Sequence, residues 1–402
     1  MNYLNQYKSK YHFSVNFWSV LLVFTFVPDL LGIENGIVKY GFWALRCASA
    51  FWVVFNYKKK IYHLNSSEKL FFFVIIIFFI NIFIDVLLEN NRNGYGTTVD
   101  LAAFAIAILV SFSFRYDPMF SGQKSFNFFA LTLALGLFVA FFLAVPSPLP
   151  WVGRMDANSS FNTINYGQLG CAMSLVSIYS LTKTKNIWYK ILWVLGVFLG
   201  LLSIMKAGSR SPIVVLFVVV LFFLFAKSGF SKGLILSVSL LLFLWFMSDF
   251  LIEIADSMGS SLPARILSAL ESGESSGRDK IYANTLSLIN DSLYFGDSYL
   301  IPSGIGKGGY PHNYILEAFL TCGLFGGIPF LIMLLLSLYK SYNLLRDGHQ
   351  SGWIVVIFVQ LCTFGMFSSS LSSSQDFWAL SFFILSIDIS EKHNRKRLPE
   401  ET

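Results

Sequence analysis

Charge is the scarcest property of this chain: only 13% of its 402 residues are Asp, Glu, Lys or Arg, whereas 55% are hydrophobic and 17% aromatic, led by 43 Phe. A soluble domain carries about 25% charged residues, so a soluble fold throughout is excluded. Cysteine is sparse as well. Cys47, Cys171, Cys322 and Cys362 all fall inside apolar runs, and neither a disulfide framework nor a zinc pattern is legible. The alternation over about ten residues that marks a membrane strand barrel is absent. The first apolar run follows Lys8 and Lys10 but lacks a small-residue cleavage site, so it reads as an uncleaved first helix.

What is present is a series of apolar runs of about 17 to 25 residues, the length that crosses roughly 30 Å of hydrocarbon as helix. The expected fold is all-α, a polytopic transmembrane helical bundle of about twelve spans, with a small helical outer (periplasmic) cap. Spans are expected near 16–33, 37–56, 70–88, 97–114, 126–144, 166–182, 188–205, 212–226, 233–250, 313–338, 353–369 and 376–390. The first nine occupy 1–250, with an outer loop at 145–166. The cap fills 251–312, the last three spans lie within 313–390, and 391–402 is a cytoplasmic tail. Lys58, Lys69, Arg115, Lys124, Lys183, Lys227, Lys340 and Arg346 fall in alternate loops, and the positive-inside rule places that side and both termini in the cytoplasm. The net charge of +6 is largely topological on this reading, so nucleic acid is not an expected partner.

Few cations remain outside: Arg92, Arg154, Lys206, Arg210, Arg265, Arg278, Lys280 and Lys307, with Lys39 at an outer helix end. Arg46 lies mid-span, where Asp29 and Asp85 in neighbouring spans are natural partners. In the loop 145–166, Pro146, Pro148 and Pro150 end a helix before Arg154 and an Asn/Ser-rich run. Lys206-Ala-Gly-Ser-Arg210-Ser-Pro212 is a tight turn with proline suited to the next helix's first turn. It serves either as a capped connection with solvated charges or as an anion cradle. Ser276-Gly277-Arg278-Asp279 has the form of a capping box, followed by Tyr282, Leu286, Ile289 and Leu293 along one helical face. Arg278 in that first turn adds a bidentate fork to amides that already attract anions.

Gly304-Ile-Gly306-Lys-Gly-Gly309 matches G-x-G-x-x-G, but it neither follows a strand nor opens a long helix, and it lacks the P-loop Lys-Ser/Thr pair. A flexible turn returning His312 to the membrane accounts for it better. His312 is the histidine assigned to the outer side, where no second histidine or cysteine accompanies it, so the pattern is not that of a metal site. It is either a structural hydrogen-bonder or a general base. Glu253, Asp256, Asp279, Asp291 and Glu317 are outer carboxylates able to orient or replace it. The serines near Ser209 lack a G-x-S-x-G elbow, which argues against a hydrolase.

Taken together, Ser209-Arg210-Ser211-Pro212, Gly277-Arg278, and His312-Asn313 followed by Gly323 and Gly326 resemble the bacterial O-antigen polymerase and ligase family, with its related capsule and exopolysaccharide polymerases. Arg154 with Asn165-Tyr166-Gly167 is similar to the family's arginine and asparagine before a span. The resemblance implies a metal-independent glycosyltransferase without cofactor, which moves a glycan from polyprenyl diphosphate to a sugar hydroxyl. It implies Arg210 and Arg278 as diphosphate ligands, Arg154 as a third cation, and His312 as catalytic base or acceptor-orienting group. The implied partners are the polyprenyl-diphosphate-linked oligosaccharide, membrane lipid and, as a further candidate, a chain-length regulator protein. Only residues 279–311 separate Arg278 from His312, a short interval for the family's ligases, which favours a polymerase. A ligase acting on lipid A core is the alternative. A lipid-linked oligosaccharide flippase is the competitor from another class, but it predicts matched halves that the sequence does not display.

Overall fold

The computed structural model describes Ala48 and residues 64–87, 98–116, 121–148, 153–158, 161–272 and 277–388. The first expected span, nearly all of the second, Arg46, Asp29, Lys39, Arg92, Ser276 and the tail 391–402 lie outside these residues. The apolar runs fold as helices α1 (Ser66–Leu87), α2 (Thr98–Ser113), α3 (Gln123–Leu143), α4 (Thr163–Leu181), α5 (Ile187–Ala207), α6 (Arg210–Ser228) and α7 (Phe230–Phe246). They continue with α8 (Ser248–Ser257), α9 (Leu262–Ser272), α10 (Arg278–Asp291), α11 (Tyr314–Arg346), α12 (Gly352–Gly365) and α13 (Gln375–Ser386). Within the loop after α3, β1 (Val145–Pro146) pairs antiparallel with β2 (Met155–Asp156).

Among the described residues, α1, α3, α5, α6 and α11 are each long and apolar enough to cross a membrane. Helices α7 and α8, bent by 54° at their junction, make a sixth span if taken together. Helices α2 and α12 are apolar but shorter. This is the helix set of a multi-pass membrane protein.

The chain divides into two compact units. The first comprises Met1–Val53, Pro118–Asp279 and Gln350–Ser368; the second comprises Val54–Asp117, Lys280–His349 and Ser369–Thr402. The expected cap is therefore shared. Helices α8 and α9 belong to the first unit, and α10 starts there with Arg278 and Asp279 before continuing in the second.

In the first unit, α4 and α5 approach closely because small residues face each other. A Cβ on Gly170 would lie 2.7 Å from the Gly200 carbonyl oxygen, and one on Gly196 2.8 Å from Met173 Cε. Where lipid replaces water there is little hydrophobic drive between helices, so close backbone packing of this kind supplies the cohesion. Trp353 of α12 packs against Phe126 and Phe129, with ring centroids 5.6 and 5.3 Å away, and its Nε1–H donates to Ser121 O at 3.2 Å.

In the second unit, buried Trp378 is ringed by Phe71, Phe78, Phe104, Phe330 and Phe377 at 5.4 to 6.1 Å. One end of this unit gathers Arg115, bonded to Glu68 through Nε at 2.6 Å, and Lys340, which donates to Leu385 O at 2.7 Å. These are cations that the charge sorting put on one side. Asp85 lies at the far end of α1, where it accepts from Ser298 Oγ at 2.8 Å and Tyr299 N at 2.9 Å.

Candidate functional site

Helices α6 and α10 both begin with an arginine, Arg210 and Arg278. The first turn of a helix carries a partial positive charge, so a cation there is disfavoured by about 0.3–1 kcal/mol. Lys206 shows the opposite, favourable placement. It sits in the last turn of α5 and donates to the Phe141 carbonyl near the end of α3, with its Nζ 4.6 Å from the Phe141 ring centroid. Of the two cations in the 206–212 turn, Lys206 suits its helix end and Arg210 does not suit its helix start.

The arginines of the first unit converge. Arg154 is buried, with its Nη2 donating to Thr163 Oγ1 at 2.5 Å and its Nε making no hydrogen bond. Asp156 accepts from the Thr163 amide at 2.6 Å, so the β-hairpin is tied to the start of α4. Burial pulls the Arg154 guanidinium below its ordinary value; Asp156 acts in the other direction, and Arg210 adds to the lowering by like-charge repulsion. Arg278 joins the same cluster through hydroxyls: its Nη2 donates to Ser368 Oγ at 3.1 Å, and Ser368 donates to Ser211 Oγ at 3.3 Å. Pro212 falls in the first turn of α6, as expected, and packs against α4 where Gly167 leaves room, since a Cβ there would lie 2.6 Å from Pro212 Cγ.

His312 belongs to the second unit. Its φ is 59°, and it is the non-glycine residue with positive φ among those described. That conformation is costly for a residue with a Cβ and has to be held by its surroundings. Asn313 is the cap of α11, its Oδ1 accepting from Ile315 N at 3.0 Å and Leu316 N at 3.1 Å. Tyr310 lies edge-on to the imidazole, with ring centroids 4.5 Å apart, and Tyr282 Oη reaches the His312 carbonyl at 3.5 Å. Glu317, one turn into α11, is fully buried and accepts from Ser370 Oγ at 2.8 Å, Leu371 N at 2.9 Å and Ser372 N at 3.2 Å. It anchors the serine-rich turn before α13.

Further along, α11 breaks at Gly323, whose φ of 55° and ψ of −154° are not helical. The backbone of residues 293–297 enters this break: Leu324 N donates to Leu293 O at 2.8 Å, Phe325 N to Tyr294 O at 3.0 Å, and Asp297 N to Leu320 O at 2.8 Å. A side chain at position 323 would collide with that backbone, so the site requires glycine on both conformational and steric grounds. The amides freed by the break are satisfied within protein, as membrane-spanning backbone must be.

The fold corrects the expected face of α10. Leu286 is 55% exposed, whereas Thr285 and Ile289 are buried and Ile281 and Leu288 line the core formed with Ile301 and Leu320. The helix carries two apolar stripes of similar spacing, and tertiary packing selects the one next to the glycine loop. That loop is not loose: Asn284 Nδ2 donates to Ser303 O and Ile305 O at 2.8 and 2.9 Å, and Ile301 N donates to Gly309 O at 2.8 Å. Of the expected site residues, Arg154, Arg210 and Arg278 come together in the first unit, and His312 stands in the second. The supporting roles of Asp156, Thr163 and Ser368 were missed. The serine run near 368–374, unusual in so apolar a chain, was the available signal.

Residues 195–331 match the family model described as O-Antigen ligase. Over this stretch the chain is similar to the O-antigen polymerase and ligase family. The matched segment holds Arg210, Arg278, His312 and Gly323, and it leaves Arg154 and α12–α13 outside. No curated protein matches the chain. Members of the family act on lipid-linked oligosaccharides.

Proposed function

We propose that the protein is a surface polysaccharide polymerase of the bacterial inner membrane, facing outward, that transfers a polyprenyl-diphosphate-linked glycan to a sugar hydroxyl of another lipid-linked repeat unit. The observation that carries this reading is the convergence of Arg154, Arg210 and Arg278, two of them at helix starts, in a first unit where like charges repel. A diphosphate relieves all three conflicts at once, accepting charge-assisted hydrogen bonds from guanidinium forks and helix amides. As the bond between the anomeric carbon and the phosphate oxygen breaks, negative charge grows on the leaving polyprenyl diphosphate, and fixed cations stabilise it without reorganising. The acceptor hydroxyl forms the new bond to that carbon and gives its proton to a base, the role that the resemblance implies for His312. The short interval from Arg278 to His312 favours polymerase over ligase.

The test is glycan display in cells carrying Arg210→Ala, Arg278→Ala or His312→Ala at normal expression. Loss of polymer is expected from each; full-length polymer from all three overturns the assignment. A deletion strain separates the two activities, since loss of a polymerase leaves single repeats on lipopolysaccharide, whereas loss of a ligase leaves none and accumulates lipid-linked polymer.

A further inference from the structure

Helix α9 carries an arginine that the sequence reading left among the unassigned outer cations. Its first turn interlocks with both segments that present the buried and helix-leading arginines of the first unit. Ser261 N donates to Gly153 O at 3.0 Å, next to Arg154, and Ser260 Oγ donates to Met205 O near the end of α5. One turn further, Arg265 Nη1 donates to the Gly208 carbonyl at 2.7 Å. The Arg265 carbonyl in return accepts from Arg210 Nη1 at 2.9 Å, with Ser268 Oγ donating to the same oxygen at 3.3 Å. The exchange is reciprocal: the Arg265 side chain grips the turn from which α6 starts, and the Arg265 backbone grips the side chain that leads α6.

We propose that Arg265 is the positioning residue of the diphosphate site, holding the Gly208 turn and α9 in register so that the Arg210 guanidinium is aimed before the anion arrives. An arginine side chain carries about 2 kcal/mol of rotamer entropy, which a fixed acceptor for one of its five N–H groups reduces in advance. Gly208 has a φ of 65°, a left-handed turn closing α5 with its amide bonded to Ile204 and Met205 carbonyls. Its own carbonyl points out of α5 and is a fixed post for Arg265. The inference rests on the reading of Arg210 as a diphosphate ligand.

The experiment measures binding of farnesyl diphosphate, with inorganic pyrophosphate in a parallel arm, to the purified full chain in detergent. It compares wild type, Arg210→Ala, Arg265→Ala, Arg265→Lys and the double alanine variant, each checked by thermal melting. Arg265→Ala is expected to weaken binding about tenfold, and the double variant to be no weaker than Arg210→Ala alone, because residues acting through one another are not additive. Arg265→Lys keeps a donor for the Gly208 carbonyl and is expected to bind within about threefold of wild type. Should Arg265→Ala fail to accumulate, Arg265→Gln enters the same cycle. Unchanged binding in Arg265→Ala overturns the inference, as do losses that multiply in the double variant, which make Arg265 an independent ligand. A loss in Arg265→Lys as deep as in Arg265→Ala also overturns it. Unchanged binding in Arg210→Ala instead overturns the diphosphate reading itself. Pyrophosphate binding as tightly as the isoprenyl compound assigns the recognition to the diphosphate and not the lipid.

Discussion

The arginine cluster of the first unit and the His312 end of the second solve opposite problems. In the cluster, Arg154 is buried beside like-charged Arg210, and Arg210 and Arg278 lead helices whose starts repel cations. The guanidiniums are held there by carbonyls and hydroxyls. At the His312 end the carboxylate of Glu317 is met by three donors, Asn313 caps its helix, and loop backbone fills the break at Gly323. What is stored there is conformation, in the positive φ of His312. One region gathers guanidiniums, and the other holds a single side chain in a costly conformation.

The comparison is broken or sharpened by substitutions on each side. The largest effect is expected from Arg210→Ala and Arg278→Ala, which should each lower glycan transfer by about 100-fold, the scale of losing one preorganised transition-state stabiliser. Their melting temperature should change little, because removing a cation from a helix start offsets the loss of its hydrogen bond to Arg265 O or Ser368 Oγ; a fall of several degrees would mean the arginines serve the fold instead. Glu317→Ala should behave in reverse, lowering stability by about 2–3 kcal/mol through orphaned donors, as read by thermal unfolding in detergent. Gly323→Ala should cost about 2 kcal/mol by the same measurement, from strain at positive φ and collision with the inserted loop. Asn313→Ala should cost about 1 kcal/mol and lower kcat more than it changes donor KM, with Asn313→Asp restoring the cap. The smallest effect belongs to Lys206→Ala: about 0.5 kcal/mol of stability, with farnesyl diphosphate binding unchanged, since that ammonium is engaged at the Phe141 carbonyl.

Hydropathy located helices at every expected span position among the described residues, because apolar length is a local property that survives folding. Motif spacing located Arg210 and Arg278 at helix starts for the same reason. The apolar face of α10 was misjudged at Leu286 because the sequence offers two stripes and only the neighbouring Ile301 and Leu320 choose between them. The glycine cluster resembled a nucleotide motif in one dimension; in three it is a turn pinned by Asn284.

By itself the sequence determined the multi-pass helical class, the helix-leading arginines and the likeness to the family, all of which depend on composition and on residues a few positions apart. Tertiary structure alone decided that Arg154, Arg210 and Arg278 meet, that Lys206 turns to α3, and that Arg265 holds Arg210. The reason is physical. These contacts join residues far apart in the chain, and their geometry follows from how closely helices pack, which periodicity and charge along one strand of sequence do not encode.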